Sequence, residues 1–439
     1  MIGLVAGCAS IPKREGWQEV EKMTEPRTGI SLPWVREEAE APTAMSTLQA
    51  WMASDLTLER ALHIALFNNR SLRAKFEDIG IAGGAGDQAS VLSNPRLKFE
   101  ALMPGGGGPG SHKVSVTQNL LDLFVAPSRR GVADAQMERA QLEVSDAVVN
   151  LAADVKAAFY TYQGAVQTQM MRQRMFDAAE ATVELAKRQK AAGNISDLDI
   201  AHQQALYHQA HLAYTSSQAD VAVAHEPLAR RLGVSGLSLT LHVGASLPEL
   251  TSADPVLEGL EDLALKQRFD LQVIRQDTQI LERTQAIAGV GPSMASAVEM
   301  GLVHEQDSSG FKLGPDVELP IPIFDQRGGV TRQLEAQRRQ SQQREQAKEL
   351  DVRTEVRLAR TKLLTARQRA DYYRDAVLPN AEEIVKRELQ HYNFMLRGVY
   401  DLLLAKQQEV HVRKELIEAL RDYWIARSEL ERSVGGKLP

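Results

Sequence analysis

Two hydrophobic spacings alternate along this chain, and each occurs twice. Leu97, Phe99, Ala101 and Met103 take every second position, with Arg96, Lys98 and Glu100 between them. Val114 and Val116 alternate in the same way with Ser115 and Thr117. Period two predicts strands at about 96–103 and 112–120. The run between them, Pro104 to Gly110, holds five glycines and two prolines and cannot be helix. Alternating segments at about 293–303 and 312–319 predict a second pair around a turn at 304–310, with Pro315 inside the last strand. The other spacing is helical. Val148, Ala152, Val155, Phe159, Tyr162 and Val166 step by four and three, a coiled-coil seam. Val352, Val356, Ala359, Leu363, Ala366, Ala370, Tyr373 and Val377 step likewise. From Arg129 to Ala192 there is no proline, so one helix of roughly 95 Å is expected. Gly193-Asn194 interrupts it, and Ser196-Asp197 opens a return helix over 196–233. The second long helix ends at a tip near 393–399, with a return helix over 399–434.

These elements form a repeat. "LERALHIALFNNRSLRA" (58–74) matches "LEDLALKQRFDLQVI" (260–274), with Asn69 opposite Arg268, an offset of 268 − 69 = 199. "LLDLFVAPSRRG" (120–131) parallels "PIPIFDQRGG" (320–329). Asp199 and Asp401 head similar runs after the two tips, and 401 − 199 = 202. Gly233 and Gly435 close the units at the same offset. Each unit reads as a leading helix (57–89 and 256–289), two strands, a long helix, a tip and a return helix. The chain therefore divides into a signal remnant at 1–8, an extended arm at 9–55, repeat 1 at 56–236, a linker at 237–255 and repeat 2 at 256–436. The arm carries Pro12, Pro26, Pro33 and Pro42, which oppose long helix, and Trp17, Trp34 and Trp51, which need a surface to bury against. The fold class is mainly α with a small β part.

Composition narrows the function. The 439 residues carry a net charge of −6, and with a pI near 6.0 this argues against nucleic-acid binding. No run of 18 apolar residues is present, so no transmembrane helix is expected. Ten-residue segments of period two are, however, what membrane barrel strands look like. A sheet in lipid must close on itself to pair every backbone group. Bacterial single-chain barrels begin at about eight strands, so four strands require several chains to share one barrel. The paired helical hairpins then stand side by side in a ring. Cys8, the single cysteine, lies in Val5-Ala6-Gly7-Cys8, similar to a bacterial lipobox, which makes it a candidate for covalent lipidation. Otherwise no cofactor is expected, and no catalytic constellation is found. His208 and His211 form an i,i+3 helical pair, a pattern more often solvated surface than metal site. "GGAG" at 83–86 follows a helix rather than a strand and reads as a break before the barrel, not a phosphate loop. Residues 332–349 are a charged solvated helix face.

The doubled order of elements resembles the TolC-like outer membrane efflux protein family. So do "LFVAPSRRG", "PIFDQRGG", "AGNISDLDIA", "FDL" at 269–271 and "YNFMLRGVYDLLLAKQQ", and the likeness spans roughly residues 55–436. It implies a homotrimeric duct of two stacked barrels: twelve strands in the outer membrane and a long periplasmic α-barrel. It also implies a passive exit from the periplasm for small molecules or metal ions, with no enzymatic step. The implied partners are outer membrane lipid, a periplasmic adaptor and an inner-membrane transporter of the RND type. In such a duct the helical tips, here Gly193, Asn194, Met395, Leu396 and Gly398, contact the adaptor. The periplasmic gate falls on Asp401 and Asp199. The sequence has Leu404 where the family's second gate aspartate stands, and Met395 where its tip glycine stands. Two other readings stay open on the residues: a type I protein-secretion duct, and a soluble coiled-coil scaffold. The "GVYDLLLAKQQE" tip is similar to members paired with heavy-metal pumps.

Overall fold

A computed structural model of the protein describes residues 15–31, 55–103, 110–119, 122–234, 241–251, 258–290, 298–307, 310–318, 323–324 and 327–438. In chain order the elements are α1 (Glu15–Thr28), α2 (Leu58–Asn68), α3 (Arg70–Ser90), β1 (Arg96–Leu102), β2 (Ser111–Asn119), α4 (Asp122–Ala191) and α5 (Asp197–Leu232). They continue with α6 (Leu260–Gln267), α7 (Phe269–Val290), β3 (Glu299–Asp307), β4 (Gly310–Glu318), α8 (Gly328–Tyr372), a π-helical turn (Tyr373–Val377), α9 (Leu378–Asn393) and α10 (Val399–Val434). No described helix is long and apolar enough to cross a membrane.

The chain forms two compact units. The first holds residues 1–20, 74–146 and 269–350, and contains the sheet and the helix segments that lead into and out of it. Its four strands pair antiparallel in the order β1-β2-β3-β4. In the register Phe99 faces Val114, Val116 faces Leu302, and Leu302 faces Pro315. The third strand begins at Glu299, later than the 293–303 expected, and runs through His304–Asp307, which the sequence pattern assigns to the turn. The hairpin therefore reverses between Asp307 and Gly310. Alternation of Leu302, His304 and Gln306 with Val303 and Glu305 continues past the point where the apolar residues end. Pro315 lies on β4, the last strand of the sheet within one chain, opposite Leu302.

The second unit holds residues 21–73, 147–268 and 351–439, and contains both helical hairpins below residue 147 of α4 and residue 351 of α8. The expected seams are its core. Val148, Val155, Phe159 and Tyr162 are buried on α4, and Val352, Val356, Ala359, Leu363 and Ala370 on α8. The second seam packs on Tyr423, Leu430 and Val434 of α10. The linker is lashed to both hairpins. Tyr162 donates its hydroxyl to the Leu241 carbonyl at 2.9 Å, and Trp424 donates its indole N–H to Pro248 at 3.0 Å.

Each leading helix is two helices rather than one, broken at Asn69 and at Arg268, positions that the repeat pairs with each other. Both break residues have extended ψ, 115° and 123°. Their side chains reach the end of the return helix of the same repeat. Asn69 donates to the Arg231 carbonyl at 2.9 Å, and Arg268 pairs with Glu355 and lies beside the Ser433 carbonyl. The return helices stop at Gly233 and Gly435, both with positive φ. A Cβ on Gly233 would lie 2.4 Å from the Asn68 carbonyl oxygen, so only glycine closes this joint.

Two other expectations are corrected. The arm is not extended throughout, since Glu15–Thr28 is helix, with Pro26 inside its last turn. Trp17 finds its surface on Phe76, with ring centroids 4.2 Å apart. Trp34 and Trp51 lie outside the described residues. The second long helix is also not uniform: the π-turn at Tyr373–Val377 ends two residues before Pro379. A proline ring clashes with the carbonyl four residues earlier, here Asp375, and one extra residue in the turn moves that carbonyl away. The first long helix carries no proline there and runs unbroken from Asp122 to Ala191, starting seven residues before Arg129.

Candidate functional site

The sheet separates two surfaces by residue parity. On one face the register assembles Leu97, Phe99, Val114, Val116, Met300, Leu302, Phe311, Leu313 and Val317. Most of these large side chains are exposed in the single chain; Phe99 and Phe311 are each 66% exposed. The other face carries Lys98, Glu100, Lys113, Glu305, Lys312 and Asp316. His112, His304 and Gln306 share this face towards the β3–β4 reversal. An apolar face of the remaining extent, on a sheet whose strands β1 and β4 have open outer sides, is unstable in water and suited to lipid.

At the junction of β2 and α4, Asp122 is buried. Its carboxylate accepts from the Ser93 N–H at 2.9 Å and from the Arg129 guanidinium at 3.0 Å. Burial alone would raise the carboxyl pKa; these bonds outweigh it and hold the group below its usual range. These bonds tie the first residue of α4 to Ser93, ahead of β1, and to Arg129 in its own helix. No pattern in the sequence singled out Asp122.

The two tips share one backbone design. After α4, the Gly193 N–H donates to Lys190 at 2.9 Å and the Asn194 N–H to Gln189 at 2.8 Å. After α9, the Met395 N–H donates to Tyr392 at 2.9 Å and the Leu396 N–H to His391 at 2.9 Å. Both are Schellman closures with a left-handed residue at the same place. Gly193 has φ +76° and Met395 +57°, so the methionine occupies the glycine conformation with a Cβ.

The chemistry of the tips differs. Ser196 caps α5 in a full capping box: the Asp199 N–H donates to its hydroxyl at 3.1 Å, and the Ser196 N–H donates to the Asp199 carboxylate at 2.9 Å. Asp401 holds the same third position of α10, but the cap residue Gly398 has no side chain to bond. The Asp401 carboxylate lies 3.6 Å from the Arg397 guanidinium and is 44% exposed. Asp199 is thus spoken for by its own helix start, and Asp401 is far less so. The second tip also projects Phe394, Met395 and Leu396, between 71% and 93% exposed, whereas Gly193 and Asn194 offer no apolar side chain. Cys8 lies outside the described residues. His208 and His211 are both exposed on α5, as solvated surface histidines, with His211 lying 5.2 Å from Phe176 by ring centroids. Among the described residues no group of three or more metal-ligating side chains is found.

A lipid-facing open sheet joined twice to a helical hairpin defines a subunit of a shared membrane barrel with a helical extension. The profile of the outer membrane efflux protein family matches residues 62–234 and 262–436, nearly the whole of both repeats, and the chain belongs to that family. It is an outer membrane channel, the exit duct of a tripartite efflux system. A curated relative, the cobalt-zinc-cadmium resistance protein CzcC of Cupriavidus metallidurans, is 23% identical over 394 residues, covering 87% of this chain and 91% of its own. Among solved structures, the Campylobacter jejuni CmeC outer membrane channel superposes with a TM-score of 0.70 at 13% identity, covering 87% of this chain and 86% of its own. The open state of the Neisseria gonorrhoeae MtrE outer membrane channel superposes with 0.62 at 16% identity, covering 86% and 89%. These likenesses establish the fold.

Proposed function

We propose that three copies of this chain assemble into one duct that discharges divalent metal ions delivered by an adaptor and an inner-membrane transporter of the RND type. The observation that carries the trimer is the open four-stranded sheet. Its apolar face requires lipid, and its edges β1 and β4 require partners. Three copies supply twelve strands, enough to close a barrel. The metal cargo is supported by the likeness to a cobalt-zinc-cadmium resistance protein along both repeats. The exposed apolar tip at Phe394–Leu396 suits an adaptor that buries it, with Gly193, Asn194 and Gly398 shaping the backbone beside it. Asp401 is the gate candidate, because its carboxylate is not consumed by a cap. Cys8 is proposed to carry a covalent lipid, supported by the Val5-Ala6-Gly7-Cys8 pattern.

The mass of the detergent-extracted protein tests the assembly. Three chains per particle are expected, and a monomer that keeps its strands in lipid overturns the proposal. Deleting the gene should raise sensitivity to zinc, cobalt or cadmium. Unchanged tolerance to all three, with the duct expressed in the parent, removes the metal cargo.

A further inference from the structure

The first unit contains a cavity of about 460 Å³ that the duct function does not use. That volume falls within the range of small-ligand sites. Its walls come from α3, α4, α7 and α8, the four helix segments that connect directly to the four strands. Ala85, Val132, Ala133, Ile287, Val330 and Leu334 make them largely apolar. Two cations stand in this lining, Arg129 and Arg327. Both stand in the matched segments "LLDLFVAPSRRG" (120–131) and "PIPIFDQRGG" (320–329) that lead into the two long helices. The Arg129 guanidinium is held by Asp122 through one terminal nitrogen, while its Nε is buried with no hydrogen-bond partner among the described residues. Arg327 is held at φ +58°, a conformation that costs a side-chain-bearing residue energy and that clusters at ligand clamps.

We infer that this cavity binds an anionic glycerophospholipid, its phosphodiester on Arg129 and Arg327 and part of an acyl chain along the apolar walls. The ligand class follows from three features together. An unbonded buried N–H and a second guanidinium call for an acceptor-rich anion. Apolar walls call for a hydrocarbon tail joined to it. The site also adjoins helices that run straight into lipid-facing strands, so a leaflet of the membrane lies within reach. A free inorganic anion would leave the walls unfilled, and a neutral tail would leave Arg129 Nε unpaired.

The test is native mass spectrometry of the detergent-extracted protein, stripped of lipid and titrated with phosphatidylglycerol, phosphatidylethanolamine or inorganic phosphate. About one phosphatidylglycerol per chain is expected, held roughly tenfold more tightly than by Arg129→Gln/Arg327→Gln, with phosphatidylethanolamine weaker. Glutamine keeps an amide donor for Asp122, so the strand-to-helix junction has a partner in the variant. Val330→Trp fills the cavity without touching either arginine and should lose the lipid to the same degree. If the double variant does not fold, Val330→Trp alone decides. Retention of phosphatidylglycerol undiminished by filling the cavity overturns the inference. So does equal retention by wild type and the double variant, or displacement of the lipid by millimolar inorganic phosphate.

Discussion

The two hairpins are built on one plan and held together by different forces. At the level of Phe176 the first hairpin is joined by rings: Phe176 lies 5.6, 5.2 and 5.7 Å from Tyr207, His211 and Tyr214 of α5 by centroid. At the offset of 202 the second hairpin has Leu378, Glu409, Arg413 and Leu416 in those places. The junction there is ionic. Arg413 on α10 donates to Glu382 on α9 at 2.5 Å and to Glu409 at 2.7 Å, and Lys406 also bonds Glu409. Above this ladder lies the π-turn before Pro379; below it lies a tip with a strained methionine and no side-chain cap. The first hairpin has an unbroken helix, a glycine closure and a full capping box. Packing of Phe176 on Tyr207 and Tyr214 carries no charge between acid and neutral pH, whereas partly exposed ion pairs respond to both salt and pH. A repeat can thus keep its backbone while its halves are assigned different compliance: the first hairpin is the rigid member, and the second can be loosened by conditions outside it.

The largest effect that would break this contrast lies at Glu409, whose carboxylate is buried at 4% exposure. Burial raises its pKa, and the bonds from Lys406 and Arg413 outweigh that and hold it below its ordinary 4.5. A carboxyl depressed in the folded state contributes its full stability above that ordinary value and loses it as pH falls through the lower folded value. Glu409→Gln should therefore cost about 1.5–3 kcal/mol at neutral pH, with the deficit vanishing in acid. Hydrogen exchange of α9 and α10 between pH 3.5 and 7 measures it. An equal response of α4 and α5 in the wild type would erase the distinction.

The tips sharpen the comparison with smaller effects. Gly193→Met should destabilise the first tip by about 1–2 kcal/mol, the cost of a left-handed residue with a side chain. Met395→Gly should stabilise the second by about 1 kcal/mol, read as slower local exchange. If the reciprocal changes leave both tips unaltered, the strain assigned to Met395 is absent. Ser196→Ala should cost about 1 kcal/mol by removing the capping box, whereas Gly398→Ser, which supplies the missing cap, should regain a comparable amount in the second tip.

Much of this was legible in the sequence, for definable reasons. The seams and the sheet faces obey fixed periods, so Val148 through Tyr162 and Leu97 through Ala101 fell where the pattern put them. Gly233 and Gly435 were visible as a matched pair because a left-handed cap leaves few choices of residue. The breaks at Asn69 and Arg268 were not read as breaks, because both residues are compatible with helix and act through tertiary bonds to the return helices. The late start of β3 was missed because alternation says little about where pairing begins. The ionic ladder was hidden because Glu382, Glu409 and Arg413 look like solvated helix surface until α9 and α10 are set side by side. Pro379 was a visible signal for a break in the second long helix, and the π-turn is the structure's way of keeping that helix going.

The smallest structural effect belongs to Asp401, and that is what makes it informative. Its carboxylate forms no capping box, and its nearest cation is Arg397 at 3.6 Å in a half-exposed pair. Such a pair, with the helix-dipole contribution of a first-turn acid, is worth about 0.5 kcal/mol. Asp401→Ala should then leave the assembly and the melting of the second hairpin almost unchanged. Asp199→Ala should cost about 1 kcal/mol, because it removes half of a capping box. If a threefold assembly brings three Asp401 carboxylates together at the narrow end of the duct, their field attracts cations and resists anions. Planar-bilayer recordings should show a cation-selective closed pore, blocked by multivalent cations, and Asp401→Ala should weaken both properties. Asp199→Ala should leave them unaltered, since that carboxylate is already turned back onto Ser196. Identical selectivity in wild type and Asp401→Ala would reduce Asp401 to a helix-start residue. A loss of selectivity in Asp199→Ala instead would assign the gate to the rigid hairpin and reverse the contrast drawn between the two.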